Sequence, residues 1–183
     1  MSEKYKIRSA DEAYFLTFTI VEWADLFSRR CYKDVVIDSL RYCQQHKGVE
    51  LFAYCIMSNH LHLIARSETP ATLSAFVRDF KKFTAVALMR LVESHEQESR
   101  RGWLRWLFQQ NGRQNVHNRD FQVWQHSSHP VALTSPERLR ERLRYVHENP
   151  VRAGICLLPE EYVYSSAAQY AGRPEIILPV TLV

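Results

Sequence analysis

The chain of 183 residues lacks any apolar run near the roughly 20 residues that a bilayer-spanning helix needs. Its opening, Met1 to Asp11, is polar and has no signal-peptide core. Both absences point to a cytoplasmic protein with no membrane partner. Glycine is scarce, at five residues, and no internal repeat, low-complexity tract or interdomain linker is visible, which excludes collagen-like, solenoid and disordered classes. The four cysteines, Cys31, Cys43, Cys55 and Cys156, form no C-x-x-C pair, so they read as free thiols in a reducing compartment rather than as a disulfide framework or zinc site. Nor is there a strong excess of either charge. The net +4 permits a nucleic-acid partner without requiring one.

What is present is 46% hydrophobic residues in a length suited to one domain, 1–183. From Tyr14 to Ile20 apolar residues alternate, which predicts a strand. Val35, Val36, Leu40 and Cys43 recur at helical spacing over Tyr32 to His46, with Gly48 as the stop. Glu50 to Met57 and Leu61 to Ala65, separated by Ser58-Asn59, read as a β-hairpin. Pro70 to Glu93 is a second helix. Between His95 and Arg119 the periodicity dissolves into an irregular basic excursion, with at most a short helix around Trp103 to Phe108. Phe121 to Gln125 reads as a short strand. Ser135-Pro136 then opens a third helix, serine as cap and proline in the first turn, which Asn149-Pro150 ends. Tyr162 to Tyr170 is helical in part. The order strand, helix, strand, strand, helix, strand is the α+β, ferredoxin-like split βαβ arrangement. It implies an antiparallel sheet with helices on one face and an additional C-terminal helix.

His60 and His62 flank Leu61 at the start of a hairpin strand. Residues i and i+2 of a strand share a face, so two imidazoles can converge on one metal ion. An ordinary pair of strand-edge histidines fits the same pattern, but the core-like residues around them give buried rings a need for partners. On the third helix, taking Leu139, Leu143 and Val146 as the buried stripe turns Tyr145 away from the core, beside Arg138, Glu141, Arg142 and Asn149. A phenol so placed can attack phosphorus while arginines bind phosphate oxygens and Asn149 offers a carbonyl oxygen to a metal. A tyrosine bridging core and solvent fits the spacing as well.

The segment Tyr54-Cys-Ile-Met-Ser-Asn-His-Leu-His-Leu-Ile64 resembles the HUH strand of single-tyrosine transposases. Val123-Trp-Gln125, Tyr145-Val-His-Glu-Asn-Pro-Val-Arg-Ala-Gly154 and Tyr164-Ser-Ser166 resemble the REP-associated branch, in family order and over nearly the whole chain. The resemblance implies a ferredoxin-like nuclease in which His60, His62 and Asn149 ligate Mg²⁺ or Mn²⁺ and Tyr145 is the nucleophile. The implied reaction cleaves and rejoins single-stranded DNA beside hairpins, through a 5′-phosphotyrosine and a free 3′-hydroxyl. The protein acting on such DNA is expected to be a monomer or homodimer.

Candidate DNA contacts are Arg78, Lys81 and Lys82 on the second helix, Arg138 and Arg142 on the third, and the basic excursion. Residues 78–119 hold nine Lys/Arg against four Asp/Glu. Trp103, Trp106 and Phe108 either stack on unpaired bases or form a local mini-core. Two features depart from the family pattern. His126-Ser-Ser-His129-Pro130 stands where many relatives carry aromatics, and residues 95–119 are longer than in compact relatives. The competing readings are a catalytically silent hairpin-DNA-binding protein and a metal-dependent hydrolase of small phosphoesters. The latter is disfavoured because no carboxylate-rich second metal site is visible.

Overall fold

The computed structural model describes residues 7, 12–114 and 120–183. The end of the expected excursion, 115–119, and most of the polar N-terminus lie outside them. Strand β1 (Ala13–Thr19) is followed by helix α1 (Arg30–His46), the hairpin β2 (Val49–Ile56) and β3 (His60–Ser67), and helix α2 (Pro70–Ser94). Then come helix α3 (Arg101–Arg113), strand β4 (Val131–Leu133), helix α4 (Pro136–Arg152) and a one-turn helix α5 (Ala167–Tyr170). The sheet order is β2-β3-β1-β4 with every neighbouring pair antiparallel, which is the ferredoxin-like arrangement.

Alternation along β1 decides what covers each face. Leu16 and Phe18 are fully buried on one side, where Phe18 packs 5.3 Å from Phe80 of α2. Phe15 and Thr17 point to the other side, where Phe15 meets α4. The sheet is therefore lined on both faces, by α1 and α2, which also pack on each other, and by the C-terminal helix α4 opposite.

Helix starts follow local chemistry. Thr69 caps α2 through its side chain, which accepts from Thr72 N at 3.0 Å, and Ser135 caps α4 by accepting from Arg138 N. The end of α4 differs from expectation. The helix runs through Asn149-Pro150 to Arg152 and closes in a Schellman motif, with Ile155 N donating to Pro150 O and Gly154 N to Val151 O. Gly154 at φ +69° supplies the left-handed residue that this closure needs, so the glycine, and not the proline, is the stop.

Two further expectations are corrected. The excursion contains a full helix, α3, which buries Leu104, Leu107 and Phe108. Its low apolar content hid a narrow stripe. Gly112 is required where it packs on the following segment, because a Cβ there would sit 2.6 Å from Phe121 Cα. The predicted strand Phe121 to Gln125 contributes only one bridge, Ile20 to Trp124. The segment does follow β1, with Gln125 N bonding Thr19 O and Thr17 N bonding Ser128 O. Pro130, which has no N–H, and His129 at φ +38° interrupt it, and regular pairing resumes only at β4.

The tail completes the sheet's other edge. Ile56 N bonds Tyr164 O and Ser166 N bonds Tyr54 O, so residues 164–166 cover backbone groups of β2 that would otherwise be open. All four cysteines are free thiols. Among the described residues, no helix is long and apolar enough to cross a membrane.

Candidate active site

His60 opens β3 opposite Thr19, and His62 lies opposite Thr17, so both rings project to the face that α4 covers. Leu61 and Leu63 between and beyond them are fully buried on the reverse face. The two rings lie 4.6 Å apart, centroid to centroid.

The hydrogen bonds set which nitrogen each ring presents. Asn59 Nδ2 donates to Trp23 O at 3.3 Å, which turns its Oδ1 toward His60 Nδ1, 2.6 Å away. An amide oxygen only accepts, so His60 carries its proton on Nδ1 and its lone pair on Nε2. His62 Nδ1 lies 3.0 Å from Thr17 Oγ1. His62 Nε2 is buried without any hydrogen-bond partner. A buried, unpartnered imidazole nitrogen is costly unless something else binds it.

Burial also keeps both rings neutral. It lowers the His60 pKa below the usual histidine value. It pushes His62 down to about 3, helped by the neighbouring His60 and the Arg142 cation. Neutral imidazoles with Nδ1 tied to a second group are the form that binds metal. The donor chemistry therefore fits a divalent cation. Among the described residues no three His, Cys, Asp or Glu side chains gather as a metal site. A further donor beside the pair, among the described residues, would be of another type, such as the Asn149 amide oxygen.

Tyr145 lies beside this pair. Its ring is 5.4 Å from His62 and 5.9 Å from Phe15, edge-on to both. The expectation that Tyr145 turns away from the core is corrected: it faces the sheet and is half-buried. Leu139 and Leu143 are only partly buried, while Val146, His147 and Pro150 are buried, and His147 meets the tail at Ser166 and Tyr170. The assumed apolar stripe was only part of what α4 buries. Around the phenol, Arg142 lies 5.6 Å from the Tyr145 ring and 5.2 Å from that of Phe15, and Arg152 lies 5.7 Å from the tyrosine. Asn149, one turn beyond Tyr145, donates its amide NH₂ to Tyr145 O at 2.9 Å, which leaves its carbonyl oxygen as the available donor atom.

Two imidazoles with unshared lone pairs, a phenol at their side and two guanidinium groups around it are the kinds of group that phosphodiester chemistry uses. Comparison with known proteins decides the family. The model of the family described as "Transposase IS200 like" matches residues 13–118, more than half of the chain. The chain belongs to the IS200-like transposase family. The matched span contains the histidine pair of this family member and ends before Tyr145. Its fold is also similar to that of a REP-associated tyrosine transposase solved bound to a REP hairpin. That likeness has a TM-score of 0.63 and 16% identity, and covers 100% of this chain and 92% of the other. Comparison with curated protein sequences returns no match.

The remaining candidates of this IS200-like chain fall in different places. Arg142 is at the tyrosine, and Arg138, a turn earlier on α4, is exposed. Arg78, Lys81 and Lys82 belong to α2, which packs on the opposite face of the sheet, so the fold does not bring them to the histidines. Arg78 is paired with Asp79 at 2.7 Å. Lys81 is tied into the fold. Its ammonium donates to Gln125 O and His126 O, and burial lowers its pKa to about 8. Phe108 is fully buried and cannot stack on bases, whereas Trp103 and Trp106 are about half exposed. His129 bonds Ser127 Oγ and is exposed.

Sequence reasoning missed Thr17, Asn59, Arg152 and the His147–Ser166 pair. Only the Asn59 contact, between adjacent residues, left a local signal. His147 Nε2 lies 2.9 Å from Ser166 Oγ, which also accepts from Tyr54 N at 3.0 Å. This buried bond ties α4 to the tail and to β2, and so fixes the helix that carries Tyr145.

Proposed function

We propose that the protein cleaves and rejoins single-stranded DNA beside hairpins, with Tyr145 as nucleophile. The observation that carries this reading is the placement of the Tyr145 ring 5.4 Å from the buried, unpartnered imidazole of His62. The Tyr145 oxygen attacks the scissile phosphorus as the phenol loses its proton. The bond to the 3′-oxygen breaks, leaving a 5′-phosphotyrosine and a 3′-hydroxyl. Reversal by a second 3′-hydroxyl rejoins DNA without ATP, because the phosphodiester energy is kept in the tyrosyl link. Arg142 and Arg152 offset phosphate charge around the phenol. His60, His62 and the Asn149 carbonyl oxygen would hold Mg²⁺ or Mn²⁺. Such a cation, when bound, supplies polarisation of the phosphate and neutralises charge developing on it.

Incubation with hairpin-bearing single-stranded DNA and Mn²⁺, followed by a denaturing gel, tests the reading. A covalent protein–DNA adduct is expected, and it should vanish in Tyr145→Phe. Cleavage that persists in Tyr145→Phe would assign the chemistry to water. Hairpin binding without cleavage by the intact protein would leave a silent DNA-binding module.

A further inference from the structure

After β1 the chain makes a turn whose geometry its sequence does not favour. Glu22 and Trp23 both have positive φ, 52° and 53°, and Ala24 N bonds Val21 O across them at 3.2 Å. Two consecutive left-handed residues are the mark of a type I′ turn, which ordinarily selects Asn-Gly. A glutamate and a tryptophan there are strained relative to residues suited to it. The surroundings hold the turn in place. Trp23 N bonds Ile20 O, Val21 N bonds Val123 O, and Asn59 Nδ2 donates to Trp23 O.

The indole gains little burial in return, since Trp23 is 59% exposed. Among the described residues its ring contact is with His60, edge-on at 6.2 Å. The strained turn therefore holds a large flat apolar ring open to solvent at the rim of the proposed phosphate-binding pair. Asn59 links the two directly, because it bonds both the Trp23 carbonyl and the His60 ring. Strain of this kind concentrates where function needs a fixed side chain.

We propose that Trp23 is a stacking platform for the unpaired nucleobase that adjoins the scissile phosphate. The inference rests on the reading of the site as a single-stranded DNA nuclease and adds the residue that holds the base. A phosphate bound at His60 and His62 leaves a neighbouring base within reach of the indole. Stacking accepts any of the four bases, so Trp23 orients the strand for attack and favours unpaired over duplex DNA. Trp103 and Trp106, out on α3, have no such link to the histidines.

The test compares binding of a short oligothymidylate with that of an abasic strand of the same length, both with Mn²⁺, in the Tyr145→Phe background that blocks cleavage. Trp23→Gly removes the ring and suits the backbone, so its melting temperature should match or exceed that of the parent. Trp23→Asn, which tolerates the same backbone, serves if the glycine variant is poorly folded. Either variant should weaken oligothymidylate binding about 5- to 100-fold while leaving the abasic strand unaffected. Trp23→Phe should keep most of the affinity. Equal loss for both strands, or no loss for either, overturns the stacking role. A Tyr145-dependent adduct together with unchanged oligothymidylate binding in Trp23→Gly would remove this inference and leave the strand-transfer reading standing. Base-dependent loss in Trp23→Gly without any adduct from the intact protein would do the reverse.

Discussion

Thr17 Oγ1 lies 3.0 Å from His62 Nδ1, across the antiparallel pairing of β1 and β3 that sets the two residues opposite one another. With the hydroxyl accepting from Nδ1–H, His62 keeps its lone pair on Nε2, the buried nitrogen that has no other partner. Thr17→Val preserves shape and removes the oxygen. Mn²⁺ affinity measured by calorimetry should fall about 10- to 100-fold, the usual cost of losing a group that orients a metal-binding histidine. An unchanged affinity would mean that the hydroxyl does not set the ring.

The arginines and lysines should separate sharply. Arg142→Ala should weaken hairpin-DNA binding and reduce the slope of log affinity against log salt by about 1, as expected for one lost phosphate contact. Lys81→Met should leave that slope unchanged. Its ammonium is already committed to two backbone carbonyls, so the loss should appear in a denaturant melt, at about 1–3 kcal/mol. Equal effects of both variants on the salt slope would contradict the placement of α2 on the far face.

Glu98 forms an ionic knot that ties α1 to the start of α3. Its side chain is fully buried, accepts from Tyr32 OH at 3.0 Å and pairs with Arg29 and Arg100 at 3.0 Å each. Hydrogen bonds from Arg100 come first among the causes that lower its pKa to about 2. A depressed carboxylate stabilises the fold above its unfolded value near 4.5, and that contribution disappears as pH falls through 2. Glu98→Gln should cost about 3 kcal/mol at neutral pH by stranding the arginines, and should flatten the acid dependence of stability between pH 4.5 and 2. Urea unfolding at several pH values reads both effects.

Burial likewise lowers His147 to about 4. A histidine kept neutral in the fold contributes stability above its unfolded value near 6.5 and loses it as pH falls through 4. Ser166→Ala removes its partner and should destabilise by about 1–3 kcal/mol. Because the bond anchors α4, adduct formation should suffer in that variant even at temperatures where it remains folded. Full activity in a measurably destabilised Ser166→Ala would show that the anchor does not position Tyr145.

Local sequence was enough wherever a residue's fate depended on near neighbours. The alternation in β1, the Ser58-Asn59 turn that places His60 and His62 on one face, and the Thr69 and Ser135 caps are all set within a few residues, so their patterns could be read directly. The runs around His60 and Tyr145 that carry the resemblance were legible for the same reason: each is short and continuous. Tertiary structure decided what depended on distant partners. Sheet register put Thr17 against His62, and the packing of α4 on the sheet and, through His147, on the tail turned Tyr145 inward, where amphipathic reading of α4 alone turned it outward. Packing also tied Lys81 to backbone carbonyls from beyond its helix and buried Phe108 completely. Helical and strand periods report which residues share a face. Only the packed chain determines which face is covered, and by what.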